Sequence, residues 1–330
     1  MSSSEPVGGD RLGQVHSAAE WRLRRDDILR RMQLVMGPFP DDSRRTPLAP
    51  EVLGEEVVGT VVRRRIAFCA EPGDRVPAYL LLPRGLTGRA PAMLCLHQTT
   101  RIGKGEPAGL GGRDDLHYAL ELAERGYVTL APDYPGYGDY SFDSYAHGYV
   151  SATMKGIWNH VRAVDFLTAL PEVDGARVGC IGHSLGGHNT MFVGAFDTRL
   201  RALVSSCGFN SFLRYCGGDL TGWSHAGYMP RIATAYDRDA RKMPFDFTEV
   251  LSAAAPRAVF VNAPLEDDNF DVRGVRDCEE AAAPVYELLG ARDRLTVTYP
   301  KAGHAFPKDV RDAAYAFVDK VLSYVGPQGR

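Results

Sequence analysis

No two cysteines in this 330-residue sequence stand in a Cys-x-x-Cys pair; Cys69, Cys95, Cys180, Cys207, Cys216 and Cys278 are scattered along it. That spacing gives no basis for a metal site or a disulfide framework. Cys95, Cys180 and Cys207 lie inside apolar, strand-like runs, where cysteine packs as a small hydrophobe. A reducing cytoplasm is therefore the expected compartment. The opening residues Met1–Pro6 lack the basic start and apolar core of a signal peptide. No apolar run approaches the length of a membrane span. An excess of one charge is missing too. A net charge of −3 and a pI near 6.3 argue against electrostatic binding of nucleic acid or membrane. Arg22, Arg24, Arg25, Arg30 and Arg31 form a local basic run, but acids interleave at helical spacing, which reads as a solvated helix face.

What is present is ordinary for a soluble globular protein: 45% hydrophobic and 24% charged residues, in a chain long enough for a large core. The first ten residues read as disordered. Apolar positions Trp21, Leu23, Ile28, Leu29, Met32 and Val35 predict a helix from His16 to about Met36, stopped by Gly37-Pro38. Trp21 and Leu29 on this added helix suggest a contact between copies of the chain. Val57–Ala70 alternates like one strand, and Val76–Leu82 reads as a second.

Short apolar runs then alternate with helical segments. Strands are expected at 91–96, 127–132, 177–181, 201–206, 257–262 and 295–299. Helices are expected at 114–125, 151–170, from 187, around 275–289 and from Asp309 to about Tyr324. Strands apolar along their length, alternating with helices, predict a mostly parallel sheet covered on both faces. The one long interruption, residues 209–250, carries Phe212, Tyr215, Trp223, Tyr228, Tyr236, Phe245 and Phe247. An excursion of that size reads as a cap over a pocket. Residues 1–56 are thus an extension with a helix, and 57–330 a single α/β domain bearing the cap.

The chemistry concentrates where the strand Arg177–Ile181 runs into Gly182-His183-Ser184-Leu185-Gly186-Gly187 and a helix follows. This is G-x-S-x-G on a strand-to-helix turn. Bulky residues at 182 or 186 would collide with strand and helix, while the bend lifts Ser184 out at the sheet's carboxyl edge. The Leu185 N–H at the helix N-terminus is placed to hold an oxyanion. Serine needs a base. Of nine histidines, His304 lies in the loop after the last strand, which leaves the same sheet edge. His183 and His188 read as packing residues, and His97 as a hydrogen bonder fixing its loop. An acid must orient the base. The loop after 258–262 contains Glu266, Asp267 and Asp268; Asp267 is the first choice, then Asp268, then Glu266. A second oxyanion donor is expected after 93–96, from the backbone of Thr99 or Gln98. Tyr134, Tyr137, Tyr140 and Trp223 are candidates to line the pocket, as is the Gln98 side chain, though each tyrosine and the tryptophan fits a packing role equally.

The run 182–187, the Pro132-Asp133-Tyr134-Pro135-Gly136-Tyr137-Gly138 turn and the Gly303-His304 loop together resemble the α/β-hydrolase superfamily. Within it the chain is similar to the branch of dienelactone hydrolases, acetyl xylan esterases and prolyl-oligopeptidase catalytic domains, over about residues 57 to 325. The resemblance implies an α/β-hydrolase fold with an eight-stranded sheet and a cap inserted after the sixth strand. It also implies hydrolysis of a small-molecule carboxylic ester through an acyl-enzyme, with Ser184, Asp267 and His304 at the triad positions and no metal or organic cofactor. Two departures stand out. Dienelactone hydrolases carry cysteine where this chain has Ser184, and the usual His-Gly after the third strand is here His97-Gln98. Residues 1–56 are too few for the propeller of prolyl oligopeptidases, so peptide cleavage is not expected. Thioester, lactone or amide hydrolysis, or acyl transfer, on the same triad are the rival chemistries, and a non-catalytic binding role is the rival class.

Overall fold

The computed structural model describes residue 12 and residues 15–323. The expected disorder of the first ten residues and the expected helix end at Tyr324 lie outside that range. Nine strands form one sheet: β1 (Glu51–Val58), β2 (Val61–Phe68), β3 (Val76–Pro83), β4 (Ala90–Leu96), β5 (Val128–Pro132), β6 (Val173–His183), β7 (Leu200–Ser206), β8 (Ala258–Asn262) and β9 (Leu295–Thr298). Their order is β1-β2-β3-β5-β4-β6-β7-β8-β9. The pairs β1/β2, β2/β3 and β3/β5 are antiparallel, and the rest are parallel.

The α/β architecture follows the expectation; the strand count does not. The run read as one strand over 57–70 is a hairpin, because Gly59 adopts φ +56° and turns the chain with Thr60 between the paired Val58 and Val61. The added edge strand β1 crosses the expected boundary at residue 56. Across the hairpin Glu55 meets Arg64 at 2.6 Å, and Glu56 meets Arg63 at 2.9 Å.

Period-two alternation sorts the strand side chains onto two faces. Ala92, Leu94, Val178, Cys180, Leu203, Val259 and Val261 enter the larger core. There they meet α3 (Ala152–Ala169), α4 (Leu185–Phe196), α7 (Val272–Leu288) and the cap. Met93, Cys95, Ile181, Val204 and Phe260 face the opposite way, onto α2 (Tyr118–Glu124) and α8 (Lys308–Val321). Both faces are covered, as parallel strands require.

The N-terminal helix α1 (Ala18–Met36) docks on the larger core, with Trp21, Ile28, Met32, Val35 and Met36 buried. Trp21 is only 2% exposed and packs within its own chain. Arg22 and Arg30 are exposed as expected. Arg25 and Arg31 instead reach inward. Arg25 bonds the carbonyls of Ala195 and Ala253, and Arg31 bonds Glu249. Between β7 and β8 the chain makes its excursion through short turns, α5 (Arg231–Tyr236) and α6 (Phe247–Ala253). Phe212, Trp223, Phe245 and Phe247 pack edge-on and tilted at 5.3–5.6 Å, so the cap has its own aromatic core. Among the described residues no helix is long and apolar enough to cross a membrane.

Candidate active site

Strand register decides which loops meet. Leu96 lies opposite Gly182, His183 opposite Ser206, Ser206 opposite Asn262, and Asn262 opposite Thr298. The loops leaving β4, β6, β7, β8 and β9 therefore emerge at one sheet edge. The order reverses around β4, and the crevice at such a reversal is where an open α/β sheet accepts a ligand.

Ser184 stands at the bend between β6 and α4 with φ 53° and ψ −115°. A non-glycine residue held there carries strain of about 1–3 kcal/mol, which the surroundings must impose. They do: the Ser184 N–H donates to Ser206 O at 2.8 Å, and the Ser184 carbonyl accepts from His188 N–H at 3.1 Å. Glycine is required on either side for space. A Cβ on Gly182 would come within 2.3 Å of the Gly186 backbone, and one on Gly186 within 1.9 Å of the Leu96 carbonyl oxygen. The Leu185 N–H lies in the first turn of α4, where no carbonyl four residues back is available to it.

His304 is half-buried, and its Nδ1 lies 3.0 Å from both carboxylate oxygens of Asp267. Of the three candidate acids Asp267 alone makes this bond; Glu266 and Asp268 are exposed. Burial pushes the Asp267 carboxyl up. The bond and charge of His304, with the N–H groups of Phe270 and Asn269, outweigh it and hold the group below the usual carboxylate range. The contact thus stabilises the fold above about pH 4 and is lost as pH falls through the depressed value.

The base loop is pinned by residues the sequence did not mark. Arg113 donates to His304 O at 2.9 Å, Asp115 accepts from Phe306 N–H at 3.1 Å, and Asn262 Nδ2 donates to Ala305 O at 2.9 Å. Asn262 closes an otherwise apolar strand, a visible signal; Arg113 and Asp115 stand at the start of the expected 114–125 helix, where no pattern marks a contact with a loop so distant in sequence. Cys207, at φ +46°, places its thiol 3.4 Å from Ala305 O, and burial, then Asp267, raise its pKa. Among the described residues one group of donors is spaced for a metal ion, His183, Cys207 and His304, within 4.8 Å of one another, and it coincides with the base.

His183 is fully buried beside His304, rings 4.8 Å apart, and its Nδ1 is 2.9 Å from Ser206 Oγ. Burial, then the His304 charge, press its pKa to about 3, so it packs as a neutral ring. His188 is buried against Trp223 and Tyr228. His97 accepts from Tyr134 N–H at 2.9 Å, fixing its loop. After β4, Thr99 is exposed with its hydroxyl 3.4 Å from the Tyr228 hydroxyl, while Gln98 Nε2 bonds Glu106 at 3.1 Å. Gln98 is thereby tied to its own loop. Tyr134 is buried under the cap and donates to Gly227 O at 3.0 Å, and Tyr137 is half-buried next to it. Tyr140 bonds the buried Asp74 at 2.8 Å and is itself buried. Trp223, 2% exposed, fills the aromatic core of the cap instead of an open wall.

The model of the prolyl oligopeptidase family matches residues 115–325, spanning α2 to the end of α8 and the loops that carry Ser184, Asp267 and His304. The chain belongs to that family. This member is 26% identical over 309 residues to YtaP of Bacillus subtilis (strain 168), a protein named as a hydrolase, covering 89% of this chain and 99% of that one. It is 24% identical over 339 residues to the carbohydrate esterase MZ0003 of an unknown prokaryotic organism, covering 84% and 76%. The glucuronoyl esterase from Solibacter usitatus superposes with a TM-score of 0.73 at 20% identity, over 93% of this chain and 94% of that one. That likeness shows the α/β-hydrolase fold, and relatives named as esterases agree with a carboxylic ester hydrolase.

Proposed function

We propose that this chain hydrolyses a carboxylic ester through an acyl-enzyme on Ser184, with His304 as general base and Asp267 as its orienting acid. The observation that carries the reading is the His304–Asp267 contact at 3.0 Å, on loops leaving the same sheet edge as the strained Ser184 bend. With Nδ1–H donated to Asp267, the bare Nε2 is the basic nitrogen. It takes the Ser184 proton as the hydroxyl attacks the ester carbonyl. The Leu185 N–H and a backbone N–H of Thr99 or Gln98 hold the oxyanion. The imidazolium then protonates the leaving alcohol, and the same nitrogen activates water to release the acid. Relatives named as carbohydrate esterases direct the search toward sugar esters.

A fluorophosphonate probe, followed by peptide mapping, tests the nucleophile: the adduct is expected on Ser184, and labelled folded protein without it sinks the reading. A panel of nitrophenyl esters, methyl glucuronate and acetylated xylan, set against thioesters and aryl-amides, tests the reaction class. Faster turnover of amides than of esters would overturn it.

Asp267→Asn is expected to lower kcat by about 10⁴-fold with KM little changed, because the amide favours the wrong tautomer of the base. Asp268→Asn, exposed and apart from His304, is expected to retain activity within a factor of about two, since surface exchanges outside such contacts have small effects. Steady-state kinetics of the pair checks the assignment; equal losses in both would refute it.

A further inference from the structure

At the opposite edge of the sheet, where β7, β8 and β9 begin, a cavity of about 800 Å³ opens between α1 and α8. Its wall carries Arg22, Arg25, Arg201, Arg257, Arg294 and Lys320, against the single acid Asp293. Among the described residues none of these six cations forms an ion pair, although most arginines elsewhere in the chain do. Arg25 and Arg294 bond only backbone carbonyls, of Ala195, Ala253 and Pro256. Arg257 Nη1 donates to Asp197 O at 3.0 Å, while its Nη2 is shut off from solvent without a partner. Trp21, 2% exposed on the same wall, likewise buries an indole N–H with no acceptor. Burial, and then the neighbouring Arg25, push the Arg257 guanidinium down to about 10.

The unmet groups are all donors or cations, and such groups are costly to bury without a counter-charge. Planar guanidiniums match phosphate oxygens two at a time. The volume is that of a small-molecule site and far exceeds one phosphate. Leu289, Phe317 and Val321 supply an apolar wall beside the cations.

The geometry points to a second binding site on this chain, for an organic phosphate monoester, remote from Ser184. Its phosphate lies among the cavity-lining cations Arg257, Arg25, Arg201 and Lys320, beside Trp21, and its organic body against Leu289 and Phe317. This site does not depend on the esterase reading.

Titration of the full chain with phenyl phosphate at constant ionic strength, followed by calorimetry and tryptophan fluorescence, tests it. One saturable site is expected, with an emission change that disappears in Trp21→Phe. Phenyl phosphate and AMP are expected to bind more tightly than inorganic phosphate, and benzoate, with one charge, more weakly than either. Arg257→Met is expected to weaken binding by about tenfold or more, the usual value of a charged hydrogen bond. Should that variant fail to fold, Arg201→Gln/Lys320→Gln, both exposed, carries the same test through a smaller loss of affinity. Hydrolysis of nitrophenyl acetate by this double variant is expected to equal that of the parent protein. No saturable binding, equal affinity for benzoate and phenyl phosphate, or affinity unaltered by either variant overturns the site.

Discussion

Exchange of Ser184 for alanine is expected to reduce ester turnover by about a millionfold while leaving the fold in place. Triad members act as a unit, so loss of the attacking oxygen costs nearly the whole of their joint effect. What survives is the contribution of the oxyanion donors and of binding, about 10³-fold over water. Alanine meets the same φ of 53° at the bend as serine does, so the backbone strain is common to both and stability is expected to stay within about 1 kcal/mol. Single-turnover kinetics with a nitrophenyl ester and a thermal melt separate the two effects. Turnover within tenfold of the parent protein would remove Ser184 from the chemistry; a large fall in melting temperature would reassign it to structure.

Gly186→Ala is expected to lose both stability and activity, by about 4 kcal/mol or more for the former. The added methyl would sit 1.9 Å from Leu96 O, 2.6 Å from Leu96 C and 2.9 Å from His97 O. All three are backbone atoms, so relief demands that α4 and the end of β4 part. That movement separates the Leu185 N–H from the Gln98–Thr99 segment, the two halves of the proposed oxyanion site. Two other glycines calibrate the effect. At Gly194 the atoms nearest to a Cβ all belong to the Leu203 side chain, from 2.6 Å, which can rotate, so the loss is expected to be smaller. At Gly54 nothing lies within 4 Å, and Gly54→Ala is expected to be nearly neutral. Denaturant titration of the three variants checks the ranking. Equal losses at 186 and 54 would refute the steric argument.

The parts of the site that were legible in the sequence sit next to strands. Ser184, His304 and the acidic loop each directly follow an apolar run, so their place at the carboxyl edge is fixed by alternation of strand and helix. The sequence ranks Asp267 first of three neighbouring acids, but only the fold shows that its side chain is the one turned toward an imidazole 37 positions away. The hairpin of β1 and β2 was hidden for a different reason. Val57, Val58, Val61 and Val62 flank Gly59-Thr60 so evenly that the apolar pattern continues across the turn. The arginines at 63 and 64, opposite Glu56 and Glu55, were the local sign of two paired strands. In the cap, aromatic residues mark a core or a lining equally well, since burial and not residue type separates Trp223 from a pocket wall. The same holds for Trp21, whose size suggested a contact between copies and whose surroundings are its own chain.

The tip of the cap is bound down at several points. The hydroxyls of Tyr134 and Tyr145 hold the carbonyls of Gly227 and Ala226, Thr153 N–H holds the Tyr228 carbonyl, and the Tyr228 hydroxyl reaches Thr99. With each bond worth about 1 kcal/mol net, swinging the tip away costs several, before any aromatic contact is lost. The cap is therefore a wall and not a door. Under the reaction proposed for Ser184, an ester would then be selected by the fixed shape that the anchored tip presents, not by a closing movement of it.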